Sequence, residues 1–299
     1  MLVSIENTNT PALGEAPKGE RPAWLRAPAP VGANYRELKD LITRLGLHTV
    51  CESAACPNVG DCWNRRTATF MILGNVCTRR CGFCAVQKGA PLDVDMDEPR
   101  RVAEAVAAMG LRYAVVTSVN RDDRKDGGAL LFAMTIAAIR ERIPGCKVEV
   151  LVPDFQGRRE AMEIVMEAAP DVLNHNTETV PRLYRQVRLG ARFERSLDML
   201  AFAKQLRPQT PTKSGLMLGL GELGEEVFDV MKALRASHVD ILTLGQYLRP
   251  TPKHLPVIRY IAPAEFAEYR RAGYQMGFAH VEAGPLVRSS YHADEAVNG

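Results

Sequence analysis

From about residue 67 onward, apolar positions alternate between two periods. Short β-rich runs fall at 67–73, 113–119, 147–152, 171–174, 213–220 and 239–244. Between them apolar residues recur at helical spacing, as in Val102, Ala105, Val106 and Met109, or Phe132, Ile136, Ile139 and Ile143. Ala161, Ile164, Val165 and Ala168 continue the pattern, as do Val227, Val230, Met231 and Leu234. A basic helix at 180–188, a helix at 196–206 and a last one at 263–276 complete six predicted βα units. Strands alternating with helices imply a parallel sheet, because parallel strands need crossover connections. No G-x-G-x-x-G follows the first strand, which weakens a dinucleotide-binding reading. The polar stretches 75–84, 118–123, 174–178, 219–222 and 246–251 all follow strands. Barrels carry their active sites at that end, so the expected fold is α/β, a partial (βα)6 TIM-type barrel.

Before the barrel, residues 1–35 are rich in Pro, Ala, Gly and Glu and read as an extended arm, anchored by Trp24 and Leu25. A short helix at 35–45 follows. The expected division is an N-terminal arm and extension at 1–66, the barrel at 67–276 and a C-terminal segment at 277–299. The composition is that of an ordinary globular chain. No run of about eighteen apolar residues exists, so no membrane helix is expected. Residues 1–10 lack an apolar signal core, which favours a cytoplasmic location. A net charge of +3 does not argue for nucleic acid. Arg182, Arg185, Arg188, Arg192 and Arg195 read as a solvated helix face or, more sharply, a docking patch for an acidic partner.

Cysteine changes the picture most. Six of seven cysteines fall in one short stretch, and an odd count without a signal peptide argues against a disulfide framework. Cys77, Cys81 and Cys84 read C-x3-C-x2-C, in the loop after the first strand. Three thiolates on a four-iron cube leave one iron without a protein ligand. That iron can chelate the amino and carboxylate groups of S-adenosylmethionine (SAM), whose cleavage by one electron yields a 5′-deoxyadenosyl radical. Zinc knuckle and redox thiols are the alternatives; zinc wants four ligands and no Cys or His closes this set locally. Phe83 fits an aromatic beside the cofactor, or plain loop packing. Ser118, Asn120, Gly219, Gly221 and Glu222 are candidate SAM contacts at strand ends. Cys51, Cys56 and Cys62 form a second triad, C-x4-C-x5-C, read as a second cluster site, with structural zinc and His48 as the alternative. Cys146 reads as a small buried apolar residue.

The two triads in this order, with Arg-Ser-Ser-Tyr at 288–291, resemble the lipoyl synthase family of the radical-SAM superfamily. Thr-Ser-Val-Asn-Arg-Asp-Asp at 117–123, Asn-His-Asn-Thr-Glu-Thr at 174–179 and 213–222 also match, as do 246–251 and Gly-Pro-Leu-Val at 284–287. The resemblance runs from about Pro22 to His292. It implies that Cys77, Cys81 and Cys84 hold a radical-SAM 4Fe-4S cluster. Cys51, Cys56 and Cys62 would hold an auxiliary 4Fe-4S cluster, with Ser290 as fourth ligand and Ser289 as the lesser choice. The implied reaction inserts two sulfur atoms, at C6 and C8, into a protein-bound octanoyl-lysine. The auxiliary cluster is the sulfur donor, and two SAM molecules are consumed per lipoyl group. The implied partners are octanoylated carrier domains of 2-oxoacid dehydrogenase complexes and the glycine cleavage H protein. A ferredoxin or flavodoxin reductant and an iron–sulfur carrier for cluster rebuilding complete them. Lipoyl carrier domains are often acidic, which would give Arg182, Arg185 and Arg188 a docking role. Another radical-SAM sulfur-inserting enzyme, such as a methylthiotransferase, and a non-catalytic metal-binding module are the competing readings.

Overall fold

The computed structural model describes residues 21–27, 30–54, 56–64, 68–291 and 293. Residues 1–20, Pro28, Thr67 and His292, on which parts of the expected arm, first strand and final match fall, lie outside them. The first elements are α1 (Ala33–Arg44), β1 (His48–Thr49), α2 (Val50–Ser53) and α3 (Val59–Asn64). The barrel begins with β2 (Thr69–Ile72), then the small pair β3 (Val76–Cys77) and β4 (Gln87–Lys88), and α4 (Glu98–Ala108). The repeat continues through β5 (Tyr113–Ser118), α5 (Ala129–Arg142), β6 (Lys147–Leu151), α6 (Arg159–Glu167) and β7 (Val172–Asn174). After α7 (Tyr184–Val187) and α8 (Phe193–Leu206) come β8 (Thr212–Leu218), α9 (Gly224–Ala236), β9 (Ile241–Gln246), α10 (Pro263–Gln275) and β10 (His280–Gly284).

The main sheet runs β1-β2-β5-β6-β7-β8-β9-β10. Every neighbouring pair is parallel except β1 with β2. Sequential order without a reversal is barrel winding, not the doubly wound arrangement. Neither β1 nor β10 has a second neighbour in this sheet, so the barrel is open.

The six expected βα units are present, with two differences. A further parallel strand, β10, pairs with β9 from His280↔Ile241 to Gly284↔Gly245. Its sequence, His-Val-Glu-Ala-Gly, carries little apolar signal, and an edge strand needs only one buried face. The basic helix expected at 180–188 is a 3-10 turn (Pro181–Leu183) running into the single turn α7.

The apolar faces of the helices close on the sheet as the spacing predicts. Val102, Val106, Phe132, Ile136 and Ile139 join one core around β2, β5 and β6; Val227, Val230, Met231 and Leu234 join a second around β8 and β9. Leu25 is buried as an anchor of the arm, whereas Trp24 is 46% exposed. Cys146 is buried in the first core.

The sheet also buries charge. Lys213 Nζ lies 3.2 Å from both Glu149 oxygens, and both side chains are essentially inaccessible. Glu149 also accepts from Asn174 Nδ2 (2.9 Å) and the Tyr113 hydroxyl (2.7 Å). Removing one partner of such a pair strands the other charge, at a cost of about 3–5 kcal/mol. Lys213→Met is therefore expected to lower the thermal midpoint of the cluster-loaded protein, and adding Glu149→Gln to recover part of the loss. Equal midpoints for the single and double variants would contradict a stranded charge.

Candidate functional site

Polar loops leave the C-terminal ends of β2, β5, β7, β8 and β9, all on one rim of the barrel. The loop after β2 carries the second triad. Cys77 ends β3; Cys81 and Cys84 follow before β4. This loop has little regular structure, so hydrogen bonds set its course. Cys77 Sγ accepts the N–H groups of Arg79 and Asn120, each at 3.4 Å. Thr78 donates its hydroxyl to Asn120 O (3.0 Å) and accepts the Asp122 N–H (3.2 Å). The Gly82 N–H bonds Val187 O and the Leu255 N–H bonds Gly82 O, while His254 Nε2 lies 3.1 Å from Cys84 O. A Cβ on Gly82 would sit 2.9 Å from the Leu255 side chain, which would have to shift to make room.

The strongest tie is ionic. Arg79, inside the C-x3-C spacing, is buried and turns inward. Its Nε and Nη2 bond both Asp122 oxygens (2.6 and 2.9 Å), and Nη2 also reaches Asp154 (2.6 Å). Asp154 is wholly buried and forms a second ion pair with Arg195 at 2.9 Å. Burial alone would raise the Asp154 value, but the Arg79 guanidinium overcomes it and keeps the carboxylate charged. Burial pushes Cys84 up to about 11 and raises Cys81 as well, with Arg188 opposing at Cys81. A metal centre must displace those protons to bind.

The first triad is built from short helices. Cys51 lies in α2, whose N-cap Thr49 hydroxyl accepts the Glu52 N–H. The Cys56 N–H bonds Cys51 O, and the Cys62 N–H, in α3, bonds Asn58 O. Burial takes Cys51 up to about 11. The three cysteines line one small cavity together with Arg288 and Ser290. Ser289 does not line it, and neither does His48. A larger cavity, about 790 Å³, reaches Cys51 and Cys56 and is lined by Arg21, Arg26 and Tyr35 among others.

Among the described residues, no three His, Cys, Asp or Glu side chains converge closely enough to hold a single metal ion. Thiolates around one tetrahedral zinc stand about 4 Å apart, and a four-iron cube spreads its thiolates wider. The all-thiol donor sets, one joined by a serine oxygen, fit iron–sulfur ligation. Near the second triad, Ser118 Oγ, Asn120 Oδ1 and Asn176 Oδ1 are buried without a hydrogen-bond partner. Orphaned polar atoms at a barrel mouth fit a polar small molecule such as SAM.

The other candidates are differently placed. Phe83 packs against the second apolar core. Glu222 accepts the Gly219 and Leu220 N–H groups, so its carboxylate braces its own loop. Gly219 (φ 101°) and Gly221 (φ 106°) hold that loop in a left-handed course. Three residues gain roles that spacing did not single out. Asn176 donates to Glu178 (3.1 Å), and Glu178 lies within electrostatic reach of Cys81, Cys84 and Arg288. Asn58 bridges the first triad to the C-terminal segment.

The arginines do not form the expected single face. Arg188 is buried, donating to Asn176 O (2.8 Å), Thr177 O and the Tyr184 hydroxyl. Arg182 pairs with Glu226 and Arg195 with Asp154. Arg185 and Arg192 are exposed. A four-residue helix cannot present five arginines on one side, and its inward turn faces the cluster loop.

Comparison with known proteins agrees with this geometry. Residues 71–234 match the family model described as "Radical SAM superfamily", and residues 6–56 match that of the "N-terminal domain of lipoyl synthase of Radical_SAM family". A lipoyl synthase of Koribacter versatilis is 62% identical over 93% of this chain and 91% of its own length. Those of Rubrobacter xylanophilus (62%; 92% and 86%) and Roseiflexus sp. (58%; 94% and 93%) are similarly related. Among solved structures, methylornithine synthase shares the fold at a TM-score of 0.56 and 16% identity, over 86% of this chain and 85% of that one. Streptococcus suis SuiB bound to S-adenosylmethionine does so at 0.56 and 12%, over 86% and 58%. Two cysteine triads, one in the loop at the barrel mouth and one on the short helices before the barrel, and relatives this similar along almost the whole chain, lead to one conclusion: this chain belongs to the lipoyl synthase family of radical-SAM enzymes.

Proposed function

We propose that this chain converts a protein-bound octanoyl-lysine to lipoyl-lysine, using two 4Fe-4S clusters held by its two triads. The observation that carries this reading is the shared cavity of Cys51, Cys56, Cys62 and Ser290. When bound, the two clusters and SAM supply the electron, the hydrogen-abstracting radical and the sulfur that go into the C6 and C8 bonds.

The chain's own residues do the rest. Cys77, Cys81 and Cys84 would hold the radical-SAM cluster through three thiolates, leaving a coordination position open to SAM. The two N–H groups directed at Cys77 Sγ stabilise negative charge on the sulfur, a recognised lever on cluster potential. Ser118 and Asn120 offer unpartnered oxygens to SAM, while Gly219, Gly221 and Glu222 shape the loop beside it and Phe83 backs the cluster loop. Ser290 would offer the auxiliary cluster a hard oxygen donor, poorly matched to iron in a thiolate-type cluster. An octanoylated carrier domain is the macromolecular substrate. A ferredoxin or flavodoxin supplies electrons and an iron–sulfur carrier rebuilds the auxiliary site. A reducing cytoplasm suits six free ligand thiols. No helix among the described residues is long and apolar enough to cross a membrane.

The test is anaerobic reconstitution, incubation with SAM, dithionite and an octanoyl-lysine peptide, and mass spectrometry. A peptide gaining two sulfurs with release of 5′-deoxyadenosine is expected; SAM cleavage without sulfur insertion would refute the substrate assignment. Ser290→Ala should keep SAM cleavage while abolishing most sulfur insertion. Arg79→Lys, which cannot reproduce the forked contacts to Asp122 and Asp154, should lower iron loading at the radical-SAM triad and SAM cleavage by about 10–100-fold. Wild-type iron content and cleavage in that variant would show the fork to be dispensable.

A further inference from the structure

The C-terminal segment must bring Ser290 to a triad more than 220 residues away in sequence, and its described residues after Gly284 form no regular structure. Besides the Gln246 N–H, which bonds Pro285 O at 3.4 Å, two contacts fix its course. The first is at Gly245, the β9 residue paired with both Met217 of β8 and Gly284 of β10. After Gly284 the chain turns, with the Val287 N–H bonding Gly284 O at 3.1 Å, and crosses back over β9. The Val287 carbonyl oxygen then lies 2.1 Å from where a Cβ on Gly245 would stand, and Arg288 Nη1 lies 3.2 Å from it. The obstacle is backbone, so no rotamer change relieves it. Gly245 has an ordinary φ; the glycine is required by the crossing tail, not by its own conformation.

The second contact is Asn58, which is buried. Its Nδ2 donates to Leu286 O at 2.7 Å, one residue before the carbonyl seated on Gly245. Its carbonyl accepts the Cys62 N–H at 2.9 Å, and its own N–H bonds the Cys56 thiol. One residue thus ties two cysteines of the triad to the tail. Nearer Ser290 the tail makes a turn, with the Tyr291 N–H bonding Arg288 O at 2.9 Å.

We infer that Gly245 and Asn58 are positioning residues that form a two-point seat for residues 286–287, setting the register in which Ser290 reaches the Cys51, Cys56 and Cys62 site. The inference rests on the reading of Ser290 as the fourth auxiliary ligand. Neither residue touches the reacting atoms; both act through the tail. A carbonyl forced off Gly245 moves the tail by an ångström or more, which is enough to cost about 100-fold where geometry is this demanding.

The test compares full-length Gly245→Ala, Asn58→Asp and Ser290→Ala after reconstitution of both clusters. Asn58→Asp keeps the side-chain size but replaces the amide donor with an oxygen facing the Leu286 carbonyl. Mössbauer spectra of the auxiliary site and turnover are recorded, with the radical-SAM cluster's EPR signal and the KM for SAM as internal references. The expected result is that both seat variants reproduce the altered auxiliary spectrum of Ser290→Ala. Sulfur insertion should fall about 100-fold while the radical-SAM signal and the KM for SAM stay at wild-type values. Should Gly245→Ala fail to take up iron at either site, Asn58→Asp decides alone. An auxiliary spectrum and turnover matching wild type in Asn58→Asp, where Ser290→Ala changes both, would overturn the seat and leave the ligand assignment standing. A Ser290→Ala spectrum identical to wild type would instead overturn the ligand assignment and the seat with it.

Discussion

Parallel strand pairing is the constraint from which the site follows. Parallel neighbours can be joined only by crossovers, so each strand must be followed by a covering element before the next begins. In this chain that puts the C-terminal ends of β2, β5, β6, β7, β8, β9 and β10 on one rim. Helices bury the apolar residues on the outside, and the polar loops collect at the mouth. The residues free to do chemistry are those at strand ends, where neither the ladder nor the core claims the side chain. The cysteine loop, the 118–123 stretch and the 174–178 stretch meet there for that reason.

A loop that must hold three thiols half-exposed cannot be held by an apolar core of its own. Arg79 answers this by running from within the C-x3-C spacing into the barrel end, where Asp122 and Asp154 receive it. The wholly buried Asp154 is tolerable only because two guanidinium groups flank it. The same economy explains Arg188, whose guanidinium satisfies the carbonyls of Asn176 and Thr177 as the chain leaves β7. Arginines that looked like surface charge are part of the frame around the site.

The two triads are built by opposite means. The second sits in a loop pinned to several neighbouring loops of the barrel mouth. The first sits on two short helices outside the barrel and is met by the far end of the chain, through Asn58, Leu286 and the crossing over Gly245. Glu178, within electrostatic reach of Cys81 and Cys84, has φ 66° and a backbone bridged to β8 at Leu216. A non-glycine residue in that region is strained, and the strands on either side hold it there.

The sequence by itself determined the element types, the parallel sheet and both triads. Apolar periodicity reports directly on which face each element buries, and thiol spacing reports on ligation within one loop. The order of contacts across the chain was left to the tertiary structure. Strand β10 carries too little apolar signal to be seen without its partner β9. The burial of Arg188 depends on carbonyls it meets only after folding. The choice of Ser290 over Ser289 at the cavity, and the need for glycine at 245, arise because residues 284–291 return across β9. That return is a packing event between segments distant in sequence, and local pattern carries no record of it.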